Sequence, residues 1–300
     1  MTEAPHTRRV AAHAKINPFL RVLGRRDDRY HDIETVVLPI SLADELVIHA
    51  YSDPGQFRTL SLSLDVSGDP DLVRRVPVDE SNLVMPAAAT LAERGGVRGF
   101  AEIALHKRIP VAAGLGGGSA DAAATLRALN DLWGVGLAEH DLRAIAADLG
   151  SDVPAMLHGA ALIRGRGEDV TPVDASSFQW ALVTFDFGVS TRDAYLWWDQ
   201  DGTPSDPDPK ELVQALTGGV AEFGRALLND LEPPVVARHP RITDAKGRLL
   251  ETGVAGAVMS GSGPTVAGLL RDDRALPAQV ERELERISGR PIGYVSSFGS

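Results

Sequence analysis

Pro110-Val-Ala-Ala-Gly-Leu-Gly-Gly-Gly-Ser-Ala-Asp-Ala-Ala-Ala124 is the stretch of this chain that says most about its fold. Four glycines and a serine precede an alanine-rich run typical of a helix: Gly114, Gly116, Gly117, Gly118 and Ser119. A glycine turn that opens a helix presents free backbone N–H groups and the positive end of the helix dipole to one point, an arrangement that binds phosphate. The alternative is a purely structural glycine turn, and the combination of glycines, serine and immediate helix favours phosphate binding.

The glycine loop differs from two common phosphate-binding sequences. No lysine follows its glycines, as a Walker A sequence requires, and no acidic residue closes a clear strand about 20 positions later, as in a dinucleotide-binding fingerprint. The loop therefore matches neither of these two sequences.

Composition narrows the class of protein. A chain of 300 residues predicts two domains or one large domain, and a hydrophobic fraction of 44% allows a substantial core. The net charge of −11 argues against sequence-independent binding to nucleic acid. Because there is no cysteine, disulfides, cysteine-ligated zinc and thiol nucleophiles are excluded. The eight histidines show no helical zinc-binding spacing, so no zinc site is expected.

Nothing in the sequence indicates a membrane protein. The N-terminal segment lacks the apolar core of a signal peptide, and no run of about 20 apolar residues is present. We therefore expect a cytoplasmic protein without membrane contact.

Predicted strands and helices are mixed along the chain and do not follow a strict strand–helix–strand alternation. This favours an α+β fold over a doubly wound parallel sheet. Clear strand alternation occurs over 60–66, and a strand over 11–24 is expected to break at Pro18. Residues 199–210 are polar and rich in proline, which predicts a loop. Further helices are predicted near 209–217, 219–229, 240–251 and 276–288.

Three further segments are candidates for chemistry. In Ala14-Lys-Ile-Asn-Pro18, strand alternation places Lys15 and Asn17 on one face, where a lysine either meets an anion or faces water from an edge strand. In Gly150-Ser-Asp-Val-Pro154, Asp152 is either a catalytic carboxylate or the N-cap of the next helix.

The third segment is Met259-Ser-Gly-Ser-Gly-Pro-Thr265. It reads equally well as a tight turn between two strands or as a second set of backbone donors for an anionic ligand. Its candidate residues are Ser260, Gly261, Ser262 and Gly263.

Taken in order, these segments resemble the small-molecule kinases named for galactokinase, homoserine kinase, mevalonate kinase and phosphomevalonate kinase, the GHMP kinases. The loop at 110–124 is similar to their second motif, and 260–264 to their third. Within the family, the chain most resembles the kinases that act on a cytidine-diphosphate sugar alcohol of the non-mevalonate isoprenoid pathway. That finer likeness rests on segments 14–17, 24–31, 81–83, 106–110 and 150–154, and the whole likeness spans about residues 10–270.

The resemblance implies the fold and the reaction. It implies an α+β GHMP kinase fold of two domains, with mixed or antiparallel sheets, helices packed on one face and an active site in the cleft between the domains. We expect a nucleotide-binding domain over 1–165 and a substrate-side domain over 166–300. The reaction implied is ATP-dependent phosphorylation of an alcohol, with Mg²⁺ entering alongside the nucleotide, and the protein is expected to be a monomer or a homodimer.

The resemblance also implies residue roles. Asp152 would accept or orient the proton of the substrate hydroxyl, and Lys15 would stabilise charge on the transferred phosphoryl group. The substrate would be held by Asn17, Tyr30, His31 and Tyr195, with the cytosine stacked on Tyr30, hydrogen-bonded to His31 and covered by Tyr195. ATP would be bound by Pro110, Gly114, Leu115, Gly116, Gly117, Gly118 and Ser119, with Lys107 and Asn82 nearby.

Two positions depart from the family pattern. Pro18 stands where a larger apolar residue is usual, and Arg29 stands where glycine usually precedes the Tyr-His pair. Two other functions remain as alternatives: a sister kinase acting on homoserine or mevalonate, and a non-catalytic ligand-binding protein on the same scaffold.

Overall fold

The computed structural model describes residues 6–53 and 55–299, so part of the N-terminal segment considered above, residues 1–5, lies outside the described residues. The strands are β1 His6–Arg25, β2 His31–Ser52, β3 Leu60–Gly68, β4 Gly99–Lys107, β5 Ala161–Gly165, β6 Asp169–Pro172, β7 Gln179–Val183, β8 Leu228–Asn229, β9 Gly256–Met259, β10 Val266–Leu269 and β11 Gly293–Ser296.

The helices are α1 Pro70–Val73, α2 Val84–Gly95, α3 Gly117–Leu132, α4 Glu139–Leu149, α5 Val153–Met156, α6 Thr191–Asp201, α7 Pro209–Ala215, α8 Val220–Arg225, α9 Glu232–Arg238, α10 Pro240–Glu251 and α11 Ala278–Ser288. No helix in the described ranges is long and apolar enough to cross a bilayer.

The chain forms two compact units whose segments interleave along the sequence. Unit 1 comprises Met1–Ala14, Leu42–Val111 and Gly117–Leu157. Unit 2 comprises Lys15–Ser41, Ala112–Gly116 and His158–Ser300. Strands β1 and β2 each contribute residues to both units. A division into two domains at residue 165 stays a prediction.

Unit 1 places helices on a mixed sheet. Strand β4 pairs antiparallel with β2 and parallel with β3, with Glu45 opposite His106 and Leu60 opposite Gly99. The leucines of β3 are half-buried and alternate with exposed residues, as the sequence pattern predicts. Fully buried Leu91 of α2 and Leu126 of α3 belong to the same apolar core as the strand residues. This packing fixes the start of α3, which directly follows the glycine loop.

Unit 2 contains an antiparallel sheet in the order β11-β7-β10-β9. Val266 of β10 lies opposite both Met259 of β9 and Val183 of β7. Residues 260–265 therefore connect two paired strands, as expected for the third glycine segment. Helices α9, α10 and α11 contribute buried residues to a core shared with β7, β9 and β10.

Several predicted boundaries were wrong. Strand β1 continues through Pro18, because the fixed φ of proline is compatible with extended backbone. Helix α6 covers the first residues of the loop predicted over 199–210, and α7 covers its last two. The helix predicted over 219–229 ends at Arg225, and residues 228–229, the last two of the predicted range, form β8. Helix α9 was not predicted.

Arg29 lies in the tight turn between β1 and β2 with a φ of 72°, the left-handed region that favours glycine. This explains physically why glycine suits the position. We expect Arg29→Gly to stabilise the protein by about 0.5–1 kcal/mol, because relief of the left-handed conformation outweighs the entropy cost of glycine. A rise in Tm of about 2 °C would show this. Arg29→Ala keeps the unfavourable φ, so an equal gain in that control would contradict the explanation.

Candidate active site

Lys15 and Asn17 lie on one face of β1 in unit 2, as alternation predicts. Both are buried, at 3% exposure each, and the Lys15 ammonium donates a hydrogen bond to the Asn17 side-chain oxygen. The Asn17 amide nitrogen donates to Thr35 Oγ1 at 2.9 Å, and that hydroxyl donates to the Phe19 carbonyl at 2.6 Å. The alternative of a solvated edge-strand lysine is excluded by its burial. Burying an ammonium is costly unless anionic or polar groups contact it, so a buried lysine here favours a functional role over a purely structural one.

In unit 2 the first part of the glycine loop packs against the third glycine segment. The Ser260 hydroxyl donates to the Gly114 carbonyl at 2.9 Å and accepts from the Asn17 backbone amide at 3.2 Å. The Lys15 amide donates to the Leu115 carbonyl at 3.0 Å. A Cβ built on Gly261 would lie 3.1 Å from the Lys15 ammonium. The strand lysine, the loop and the third segment thus form one cluster.

Glycine is required at two of these contacts. Gly114 has a φ of +75°, and a Cβ there would lie 2.0 Å from the Ser260 carbonyl oxygen. Gly261 has a φ of +55° and lies directly against Lys15 and Asn17. Both sites need left-handed backbone and close approach, which a residue with a side chain does not tolerate. The third segment is therefore a tight turn, and it also lines the lysine.

In unit 1 the second part of the loop opens α3. Gly117 and Gly118 form the first residues of the helix, whose early N–H groups have no partner within the helix itself. Gly118 is exposed, and a Cβ there would meet nothing within 4 Å. The first turn of α3 is therefore open to solvent at Gly118, and an accessible first turn is what anion binding at a helix start requires.

Lys107 lies directly beneath this opening turn. A Cβ built on Gly117 would be 3.4 Å from its ammonium. The ammonium is 4% exposed and forms ion pairs with Asp44 and Asp121, the second at 2.7 Å. Burial by itself lowers the pKa of Lys107, but the two carboxylates outweigh burial, and the net pKa is raised above its usual value. Lys107 therefore stays a cation.

Asp152 stands at the N-cap position of α5 in unit 1, followed by Val153 and Pro154. Its side chain makes no capping hydrogen bond to the helix, although aspartate commonly does so at this position. The side chain is exposed. The capping explanation for this residue therefore does not apply.

Tyr30 is the last residue of the turn before β2, and His31 begins that strand, both in unit 2. His31 Nε2 lies 2.7 Å from Asp199 Oδ1, and its ring stacks on Tyr195 with centroids 4.7 Å apart. Tyr30 is 54% exposed, and the Arg166 guanidinium covers its ring at 4.8 Å. Tyr30 thus offers an exposed aromatic surface beside an oriented imidazole. The role of Tyr195 over the cytosine stays a prediction, since its ring contacts His31.

Asn82 is 6% exposed, and its side chain ties the entry to α2. Its amide nitrogen donates to the Pro77 carbonyl at 2.9 Å, and its oxygen accepts from the Val84 amide at 3.1 Å. Pro110 lies between β4 and α3, three residues after Lys107 in the sequence. Their roles at the nucleotide stay predictions.

Sequence reasoning missed four supporting side chains. Asn229 donates to the carbonyls of Met259 and Gly261 at 2.6 and 2.7 Å and so fixes the third segment. Asp44, Asp121 and Asp199 orient Lys107 and His31. Asp121 follows the glycines by one helical turn, a spacing that signals the loop face of α3. The other three had no signal, because they reach the site from distant parts of the sequence.

The chain matches two family models, one over the glycine loop and one over the third glycine segment. The model of the GHMP kinases N terminal domain matches residues 82–160, and that of the GHMP kinases C terminal matches residues 211–289. A 4-diphosphocytidyl-2-C-methyl-D-erythritol kinase of Pelotomaculum thermopropionicum is 43% identical over 282 residues, covering 92% of this chain and 94% of the relative. The kinase of the same name from Pseudarthrobacter chlorophenolicus is 40% identical, covering 94% and 90%.

Solved structures of kinases share the fold of this chain. A crystal structure of 4-(cytidine 5'-diphospho)-2C-methyl-D-erythritol kinase superimposes with a TM-score of 0.77 at 31% identity, covering 98% of this chain and all of that one. Homoserine kinase from Cytophaga hutchinsonii reaches a TM-score of 0.68 at 20% identity, covering 100% of this chain and 96% of that one, which shows a shared fold. The α+β fold expected from the sequence is confirmed. This chain belongs to the GHMP kinases, in the group of the 4-diphosphocytidyl-2-C-methyl-D-erythritol kinases.

Proposed function

We propose that this chain transfers the γ-phosphoryl group of ATP to the hydroxyl of 4-diphosphocytidyl-2-C-methyl-D-erythritol. As a GHMP kinase it is an ATP-dependent phosphotransferase, and the substrate is that of the relatives to which it is 40–43% identical. The observation that carries the proposal is the cluster of Lys15, Asn17, Gly114 and Ser260. A buried ammonium that lies against the turn at Gly261, on a strand whose backbone bonds to the glycine loop, supports the transfer of an anionic group.

The glycine loop binds the phosphates of ATP in this proposal. Phosphoryl transfer depends mainly on positioning and on neutralising charge, with little covalent chemistry for the protein to perform. In this proposal the amides at the start of α3 meet the phosphates, and the Lys107 ammonium lies beneath the same turn. These preorganised donors need no rearrangement during the reaction, which is why they lower its barrier.

Asp152 and Lys15 divide the remaining chemistry. The exposed Asp152 carboxylate accepts or orients the hydroxyl proton of the substrate, and Lys15 stabilises the charge on the moving phosphoryl group. Asn17 holds the Lys15 ammonium in place through its side-chain oxygen. Its other contact, to Thr35, fixes which atom of the amide faces the lysine.

Mg²⁺ is part of the proposal as the companion of ATP. Within residues 6–53 and 55–299, no three histidine, cysteine, aspartate or glutamate side chains are grouped to hold a metal ion. Magnesium usually keeps several waters and binds substrate phosphates, so an ion that enters with ATP needs no cluster of protein carboxylates. When bound, the ion supplies further neutralisation of phosphate charge, and we assign it no protein ligand.

Tyr30 and His31 recognise the cytosine in this proposal. Stacking of a base on an aromatic ring contributes about 1–3 kcal/mol, and the exposed Tyr30 ring is suited to it. With Nε2 of His31 held by Asp199, the Nδ1 atom and the backbone remain to hydrogen-bond the base. A base-bearing substrate explains this aromatic pair, whereas homoserine and mevalonate carry no ring to stack.

The function is tested by ADP release against three acceptors. We expect turnover with 4-diphosphocytidyl-2-C-methyl-D-erythritol and none above background with homoserine or mevalonate. Cytidine diphosphate is expected to compete with the acceptor. Turnover of homoserine or mevalonate alone would assign a sister activity. Binding of ATP without ADP release from any acceptor would favour a non-catalytic protein.

Asp199 gives a sharper prediction for substrate recognition. Asp199→Ala removes the hydrogen bond that orients His31, so KM for the cytidine substrate should rise about 5–10-fold while KM for ATP stays unchanged. Steady-state kinetics with each substrate varied measures both values. The matched control is Asp201→Ala on the same helix, whose carboxylate pairs with Arg238 and is expected to leave both KM values unchanged. An equal rise in both KM values would contradict the assignment.

A further inference from the structure

A buried charge cluster lies at the start of α3 in unit 1. It consists of Lys107 on β4, Asp44 on β2 and Asp121 on α3, with exposures of 4%, 1% and 2%. The Lys107 ammonium donates to both carboxylates. One cation and two carboxylates carry a net charge of −1 when both are ionised. A buried net charge is unfavourable, and the cluster therefore has a reason to take up a proton.

The two carboxylates differ in the hydrogen bonds that they accept. Asp44 Oδ1 accepts from the backbone amides of Arg108 and Ile109 at 2.5 and 2.9 Å, and its other oxygen accepts from Lys107. Asp121 Oδ2 accepts from Lys107, but its Oδ1 has no hydrogen-bond partner among the described residues. Hydrogen bonds to the charged form favour ionisation, and Asp121 has fewer of them, so Asp121 is the group that takes up a proton.

The charges around Asp121 agree with this division. Burial raises the pKa of Asp121, the Lys107 cation opposes that rise, and the Asp44 carboxylate adds to it, leaving a pKa of about 7. Helices α2, α4 and α5 pack against α3. Among the described residues, none on these three helices shifts the pKa of Asp121. Asp121 is therefore poised to change its charge near neutral pH.

The position of the cluster couples it to the glycine loop. Gly117 opens α3 directly above the Lys107 ammonium, and Asp121 follows four residues later on the same face, about 6 Å along the helix axis. An anion resting on the opening turn brings negative charge close to the Asp121 carboxylate. Like charges favour the protonated form, so such an anion raises the pKa of Asp121 further.

We propose that Asp121 is a positioning residue that holds Lys107 beneath the opening turn of α3 and takes up a proton from solvent when a nucleotide phosphate binds there. The proton adds to the Asp121 carboxylate, which changes the cluster from a net charge of −1 to 0. The ammonium then keeps its contact with Asp44, and the phosphate no longer faces a net negative charge beneath the turn. This inference rests on the proposed function, since it requires a phosphate on that turn.

The test is isothermal titration calorimetry of ADP–Mg²⁺ binding at about pH 7 in buffers with different ionisation enthalpies. A pKa that rises by about one unit from 7 predicts uptake of about 0.4 proton per nucleotide. In Asp121→Asn, which has nearly the same shape but no titrating group, the uptake is expected to vanish. The difference between the two proteins cancels protons carried by the nucleotide. Asp131→Asn, at the exposed end of the same helix, is the matched control and should retain the wild-type uptake.

A second readout needs no variant. Because the pKa is higher in the complex than in the free protein, nucleotide affinity falls as pH rises through this range. The loss in the wild type is about tenfold between pH 6 and 9, beyond that of Asp121→Asn. Binding without proton uptake, or equal uptake by Asp121→Asn, overturns this inference alone. Failure of the wild type to bind nucleotide overturns the proposed function and the inference with it.

Discussion

Asp152→Asn is expected to lower kcat by about 10²–10⁴-fold, the range that a positioned general base contributes. Asparagine keeps the size of the side chain but does not accept a proton as a carboxylate does. Because the Asp152 side chain does not cap α5, the substitution removes no hydrogen bond from that helix, and stability should stay within about 0.5 kcal/mol of the wild type. Initial rates of ADP release with saturating substrates measure the effect on kcat.

Nucleotide binding separates a catalytic loss from a folding defect. The Asp152→Asn protein should bind ADP with unchanged affinity in calorimetry and show an unchanged Tm. Asp148→Asn, an exposed aspartate on α4, is the matched control and should retain full activity. If Asp152→Asn turned over at the wild-type rate, Asp152 would have no part in the mechanism.

Gly114→Ala should produce the largest loss of stability among the glycine-loop substitutions, about 3 kcal/mol or more. The added methyl group would lie 2.0 Å from the Ser260 carbonyl oxygen and 3.0 Å from the Gly263 backbone nitrogen, and the residue would keep a φ of +75°. Neither backbone atom belongs to a flexible side chain that can move aside. The loop must therefore shift away from the third segment, which also removes the Leu115 carbonyl from the Lys15 amide.

Two control glycines separate the causes. Gly136→Ala keeps a positive φ but meets nothing within 4 Å, so it should cost only the left-handed penalty of about 1–2 kcal/mol. Gly118→Ala has neither a positive φ nor a neighbour, so stability should be unchanged or slightly higher, while its methyl group fills the open space at the start of α3. Denaturant unfolding of the three variants gives the comparison. Equal losses in Gly114→Ala and Gly136→Ala would show that the contact with Ser260 does not matter.

Local sequence signals predicted the elements that carry their own pattern. The alternation in β3, the glycine loop before α3 and the two strands around residues 260–265 all depend on neighbours in sequence, and the structure contains them. The signals failed where long-range contacts override them. Residues 228–229 continue a helical pattern, yet they form β8, because they pair with Phe19 and Leu20 of β1. The start of the predicted loop at 199–210 is helical, with Asp199 turned towards His31.

The candidate site divides in the same way. Local pattern made Lys15, Asn17 and the glycines candidates, and the resemblance to the GHMP kinases supplied their expected roles. Asp44, Asp199 and Asn229 were not candidates, because each is an ordinary polar residue whose meaning comes from a partner far along the chain. Asp44 reaches Lys107 across 63 residues, and Asn229 reaches Gly261 across 32.

By itself, the sequence predicted the glycine turn that opens a helix and the strand that carries the lysine, because backbone freedom at glycine and alternation along a strand are local properties. Tertiary structure alone decided that this lysine is buried against the turn at Gly261, and that Lys107 is shared between Asp44 and Asp121. The physical reason is that burial and charge balance depend on every group that packing brings within a few ångströms. Those neighbours come from separate strands and helices, and only the folded chain places them together.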